Sequence, residues 1–137
     1  MKIGVTILAA GSSKRMGNQN KLLLLVNNKP ILYILCKSVL KADINQVVLV
    51  TGYQKKKIEN ALPNGIDTIV HNEHWEKGMM SSIHVGISNL QDDIDANMII
   101  LGDMPLIKTS TINSIICAFN NNKGKYIIYP TYNNIQA

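Results

Sequence analysis

Short apolar runs alternate along this chain with segments whose apolar positions recur at helical spacing. Ile3–Leu8 predicts a buried strand. Leu22–Val26 is a short apolar run ended by Asn27-Asn28, a turn pair tolerant of positive φ. Pro30 opens a helix to about Leu40, sitting in the first turn where its missing N–H costs little. Gln46–Thr51 predicts a second strand, stopped at Gly52, and Lys55–Leu62 a helix broken by Pro63-Asn64-Gly65. Ile66–His71 predicts a third strand. Met79–Leu90 predicts a helix with Met80, Ile83, Ile87 and Leu90 on one face. Asn97–Leu101 is a fourth strand, Thr109–Phe119 a helix and Tyr126–Tyr129 a fifth strand. Such alternation predicts an α/β protein: a three-layer, doubly wound, mostly parallel sheet with helices on both faces. No repeat or linker interrupts it, so residues 1–137 are expected to act as one domain.

The first strand runs into the most distinctive stretch, Leu8-Ala9-Ala10-Gly11-Ser12-Ser13-Lys14-Arg15-Met16-Gly17, closing at Lys21. Gly11, Ser12 and Ser13 allow the backbone to bend so that its N–H groups converge, as in anion-binding nests. Lys14, Arg15 and Lys21 add positive charge, and Arg15, the sole arginine, can grip two oxygens at once. A loop leaving the carboxyl end of a strand is where open α/β sheets bind ligands. An ordinary polar connection would use similar residues. The spacing fits neither a Walker loop nor Gly-x-Gly-x-x-Gly.

Asp103 follows the strand Met98–Leu101, with Gly102 turning the backbone, and is expected at the same edge of the sheet as the loop. A carboxylate facing a phosphate cradle is repelled unless a cation lies between them. Mg²⁺ suits this, because it takes few carboxylates together with phosphate oxygens and water. Asp103 could also serve as a cap or turn former before Pro105. Gly78-Met79-Met80-Ser81-Ser82 opens a helix whose end can be capped by its serines or can offer free N–H groups to a nucleotide. Trp75 could pack over the site, or serve plain packing beside it.

Leu8 to Gly17 with Lys21, Asn72 to Ile83, and Gly102-Asp103-Met104-Pro105 together resemble the nucleotidyltransferases, in particular the molybdenum cofactor cytidylyltransferase branch. The resemblance implies a Rossmann-like nucleotidyltransferase that moves CMP from CTP, or another nucleotide from its triphosphate, to a phosphorylated, molybdopterin-type acceptor. It implies catalytic roles for Arg15, Lys21 and Asp103, with Asp103 holding Mg²⁺. The implied nucleotide-binding set is Leu8, Ala9, Ala10, Gly11, Ser12, Ser13, Arg15, Lys21, Thr51, Gly52, Gly78, Met79, Ser81 and Ser82. Ala9-Ala10-Gly11 is the form that goes with cytosine, and the Ala10 methyl would crowd a purine. Tyr53 stands where related sequences often carry His, and Asn28 where a turn glycine is usual. Because the family continues well beyond the fifth strand, the resemblance implies a chain lacking its C-terminal portion. That chain would dimerise or lean on a partner, a downstream molybdoenzyme included. An enzyme for a sugar or alcohol phosphate and a non-catalytic nucleotide-binding domain are the rival readings.

Composition changes this picture little. The net charge of +5 would suit a polyanion, but a nucleotide substrate accounts equally for the basic loop. Lys55-Lys56-Lys57 reads as a solvated helix face rather than a nucleic-acid contact. His71, His74 and His84 lack zinc-site spacing, and no nucleophile motif is present. Cys36 and Cys117 read as buried free thiols, which fits the cytoplasm. No stretch approaches a membrane span.

Overall fold

The computed structural model describes residues 1–13, 17, 19–132 and 135–136. Its frame is a four-stranded parallel sheet built from β1 (Ile3–Ala9), β4 (Gln46–Thr51), β5 (Thr68–His71) and β6 (Ala96–Leu101). The spatial order is β5-β4-β1-β6. All seven residues of β1 are buried, as its central position requires. Two minor strands, β2 (Leu25–Val26) and β3 (Lys29–Pro30), form a hairpin. Asn27 and Asn28 turn it with φ of 51° and 63°, the mirror-image turn that Asn tolerates.

Strand alternation divides β1 between two layers. Ile3, Val5, Ile7 and Ala9 join one core with Val47 and Leu49. That core is covered by α1 (Ile31–Leu40), α2 (Lys55–Asn60) and α4 (Thr109–Asn121), through Leu32, Leu35, Cys36, Val39, Ile58, Ile112 and Ile116. Leu8, Ala10 and Val50 point the other way, toward Ile83 and Val85 of α3 (Met79–Ser88). The doubly wound α/β class expected from the alternation is therefore what the chain adopts.

Four expectations need correction. The buried face of α3 is Ser82 and Gly86, while Met80 is 73% and Ile87 49% exposed. The cause is close approach: a Cβ on Gly86 would lie 2.3 Å from Thr6 Cγ2. Small residues thus set the seam: of the expected face, Ile83 packs against Leu8, Ala10 and Val50 and Leu90 lies over Gly4, while Met80 and Ile87 turn to solvent. Tyr126–Tyr129 forms no strand, and Ile127 is 91% exposed. Its β-branched and aromatic residues favour extension, but a strand needs a ladder partner. The segment instead lies along a groove between β6 and α4, and the nearest pairing is a two-residue hairpin of β7 (Thr131–Tyr132) with β8 (Ile135–Gln136). Cys117 is exposed, because Ile112 and Ile116 take the buried face of α4. The second helix ends at Asn60 rather than Leu62. Lys55, Lys56 and Lys57 are exposed, with Ile58 behind them in the core.

Candidate nucleotide site

Chain order fixes where the site must lie. From β1 the chain moves to β4 and β5 on one side, then crosses back to place β6 on the other. That reversal of direction makes β1 and β6 neighbours at a topological switch point, at whose carboxyl edge such sheets bind ligands. Leu8 and Leu101 are register partners, and the Gly102 N–H donates to the Leu8 carbonyl at 2.9 Å. The basic loop and Asp103 thus leave the sheet side by side. Gly102 is needed for contact rather than for a turn: a Cβ there would lie 2.8 Å from Leu8 O and 3.2 Å from Leu32 Cδ1.

A cavity of about 750 Å³ opens here, within the range of small-molecule sites. Among the expected residues, Leu8, Ala10, Gly11, Ser12, Ser13, Lys21, Gly78, Met79, Ser82 and Asp103 line it. Ser13 has a left-handed φ of 52°, the kind of reversal that curls a backbone into an anion-binding concavity. Among the described residues, its chain neighbours apart, no atom lies within 4 Å of where a Gly11 Cβ would stand. Lys21 N–H donates to Ser13 Oγ at 3.1 Å, closing the loop on itself. Lys21 Nζ lies 3.3 Å from Asp103 Oδ2. Arg15, with Lys14, falls outside the described residues.

Other expected residues support the cavity from behind. Ala9 is in the core under α1. Thr51 is buried, its hydroxyl 3.2 Å from His71 Nδ1. Gly52 is wedged so tightly that a Cβ would lie 2.6 Å from Trp75 Cβ and 2.7 Å from Ala10 O. Ser81 Oγ lies 2.9 Å from the Gly78 carbonyl and 3.1 Å from that of His74. Ala10 is only 5% exposed, packed with Leu8, Val50 and Trp75.

The far wall is held by a residue that the pattern alone did not single out. Asn72 is 2% exposed. Its Nδ2 donates to Ser81 Oγ at 2.8 Å and to Ser82 Oγ at 3.0 Å, and its Oδ1 accepts from the His74 N–H at 2.9 Å. It therefore joins the strand end, the turn Trp75–Lys77 and the start of α3. Gly78, with φ of 105°, makes the bend into that helix, a backbone that glycine alone adopts easily. Trp75, Glu76, Leu22, Leu101 and Gly102 also line the cavity. Trp75 packs beside Tyr53, ring centroids 5.5 Å apart. An asparagine three residues before Trp75 was the available signal, but only folding brings it to the serines.

Among the described residues no three His, Cys, Asp or Glu side chains cluster as a metal site. Asp103 nevertheless suits a cation that takes one carboxylate and completes its shell with phosphates and water, and the Lys21 ammonium already stands beside it as a positive charge.

A parallel α/β sheet with a polar loop, a helix start and a carboxylate gathered at its switch point defines a nucleotide-handling protein of the doubly wound class. Residues 5–136 match the MobA-like NTP transferase domain, and the chain belongs to that family. It is 30% identical over 129 residues to 2-C-methyl-D-erythritol 4-phosphate cytidylyltransferase of Lachnoclostridium phytofermentans, covering 90% of this chain and 54% of that protein. It is 31% identical to a probable UDP-N-acetylglucosamine pyrophosphorylase of Acanthamoeba polyphaga mimivirus, covering 93% and 51%. The chain thus spans about half the length of the curated relatives it matches. Among solved structures, Rv0371c of Mycobacterium tuberculosis superposes with a TM-score of 0.75 at 26% identity, over 86% of this chain and 60% of that one. That protein has also been solved in complex with manganese.

Proposed function

We propose that this chain carries the nucleotide site of a cytidylyltransferase-like enzyme. The reaction is in-line attack by an acceptor's phosphate monoester on the α-phosphorus of CTP. The new phosphoanhydride bond forms as the bond to pyrophosphate breaks. The observation that carries this reading is the meeting of Gly11–Ser13, Lys21 and Asp103 in one cavity at the switch point. Phosphoryl chemistry needs positioning and charge neutralisation more than covalent help. Backbone N–H groups of Gly11 to Ser13 would cradle phosphate oxygens. Lys21, together with Arg15, would neutralise the triphosphate. The start of α3 at Gly78 and Ser82 would face the nucleoside. Asp103 would hold Mg²⁺, whose chemistry is to draw charge from the phosphates.

The acceptor has two supported readings. The three motifs resemble the branch that uses a molybdopterin-type phosphate. The erythritol-phosphate cytidylyltransferase and the pyrophosphorylase among the relatives favour an alcohol or sugar phosphate. The reaction would take place in the cytoplasm; among the described residues no helix is long and apolar enough to cross a membrane. The test is to incubate the protein with each nucleoside triphosphate, Mg²⁺ and either acceptor class, following pyrophosphate. Release with CTP and one acceptor is expected. CTP bound without release under every pairing would favour a non-catalytic binding domain.

A further inference from the structure

We propose that Lys21 is an internal counter-ion that keeps Asp103 closed to a divalent cation until a triphosphate draws the ammonium away, so that nucleotide enters before metal. This rests on the nucleotide reading above and adds an order of binding to it.

The geometry is specific about which part of Lys21 can move. Its backbone is fixed at the head of the turn Lys21–Leu23, capped by Asn20 Oδ1, which accepts from the Leu22 N–H at 3.1 Å. Its own N–H is held by Ser13 Oγ. The long side chain reaches across to Asp103 Oδ2 at 3.3 Å and remains 48% exposed, with the Asp103 side chain 37% exposed. A half-solvated pair of this kind is weak and easily exchanged. It still neutralises the carboxylate and sets a like charge where a cation would approach, which disfavours a metal arriving alone. A triphosphate seated on Gly11–Ser13 offers the ammonium several negative charges within reach of the same anchored stem. Moving to them, Lys21 both holds the nucleotide and releases Asp103. Metal and nucleotide then raise each other's affinity by the same factor, as linkage requires.

The probe is Mn²⁺ alone, followed by the electron paramagnetic resonance signal of the free ion, with no nucleotide and no turnover. Lys21→Gln is expected to bind Mn²⁺ roughly tenfold more tightly than the wild type, since an adjacent like charge has gone. Lys21→Arg keeps the charge and should bind as weakly as the wild type. Adding Asp103→Asn to Lys21→Gln should abolish the gain. Lys21 is exposed, and a thermal melt of each variant verifies folding. Equal or weaker Mn²⁺ binding by Lys21→Gln overturns the proposal. CTP binding by the wild type with no such gain would overturn the counter-ion and leave the nucleotide reading standing. Absence of CTP binding in the presence of Mn²⁺ would overturn the nucleotide reading, and the order of entry with it.

Discussion

At the scale of single residues, charge and burial make separable demands. Lys21 and Asp103 are accessible and bonded mainly to each other at their tips, so their removal should leave the fold intact. Lys21→Ala and Arg15→Ala are each expected to lower nucleotide use by roughly 10²–10³, the usual cost of one preorganised charge clamp, with little change in melting temperature. Full activity in both would contradict their assignment. Asp103→Asn should abolish the response of activity to added Mg²⁺; an unchanged titration would remove it from the metal site. The two cysteines offer a test of burial. Cys36 is enclosed in the core and burial pushes its thiol up to about 12, whereas Cys117 is exposed. Native protein should therefore take one equivalent of a thiol reagent at Cys117, and two only after unfolding. The unfolded Cys36 thiol ionises from near 9.0 upward while the folded one keeps its proton. The unfolded chain then binds fewer protons, so stability should fall as pH rises from about 9 toward 12. A Cys36→Ala variant should show a shallower alkaline decline; identical slopes would count against the burial argument.

At the scale of elements, α3 is the piece that positions the far wall of the cavity. It lies on the sheet through Gly86 against Thr6, and its start is tied by Asn72. Gly86→Ala should cost about 1–3 kcal/mol by overpacking, despite the better helix propensity of alanine. Asn72→Ala should cost about 1–3 kcal/mol, because it leaves the buried Ser82 hydroxyl without this partner, and should also weaken nucleotide binding through the loosened Gly78–Ser82 segment. Denaturant titrations measure both; unchanged stability in Gly86→Ala would mean that the helix does not rest where it is drawn. The four parallel strands, the four helices and the loop at Gly11 were all legible in apolar runs and turn residues. The packed face of α3 was legible only in part: Ile83 packs inward, but the seam consists of Ser82 and Gly86 while larger residues such as Met80 face solvent. Tyr126–Tyr129 misled for the complementary reason: β propensity was present but no ladder partner was. Ala9, Thr51, Gly52 and Ser81 lie beside the cavity rather than on it, a distinction that contiguity in sequence cannot make.

At the scale of the whole molecule, strand order builds the crevice. Placing β1 between β4 and β6 brings two loops and one helix start to a single crevice. Base choice would belong to this scale, because the Ala10 methyl is packed with Trp75 and lies against Gly52, so it would act on the base through these neighbours. Competition among the four triphosphates is expected to favour CTP over GTP, and Ala10→Gly to narrow the difference; equal affinities in the parent protein would show that this packing does not discriminate. The central claim is that the switch-point cavity is the nucleotide site. The most direct measurement is to titrate ¹⁵N-labelled protein with CTP and Mg²⁺ and follow the backbone amides. The account expects the largest shifts at Gly11, Ser12, Ser13, Lys21, Gly78, Ser82 and Asp103. Shifts confined to the groove between β6 and α4, or none at saturating CTP, would contradict it.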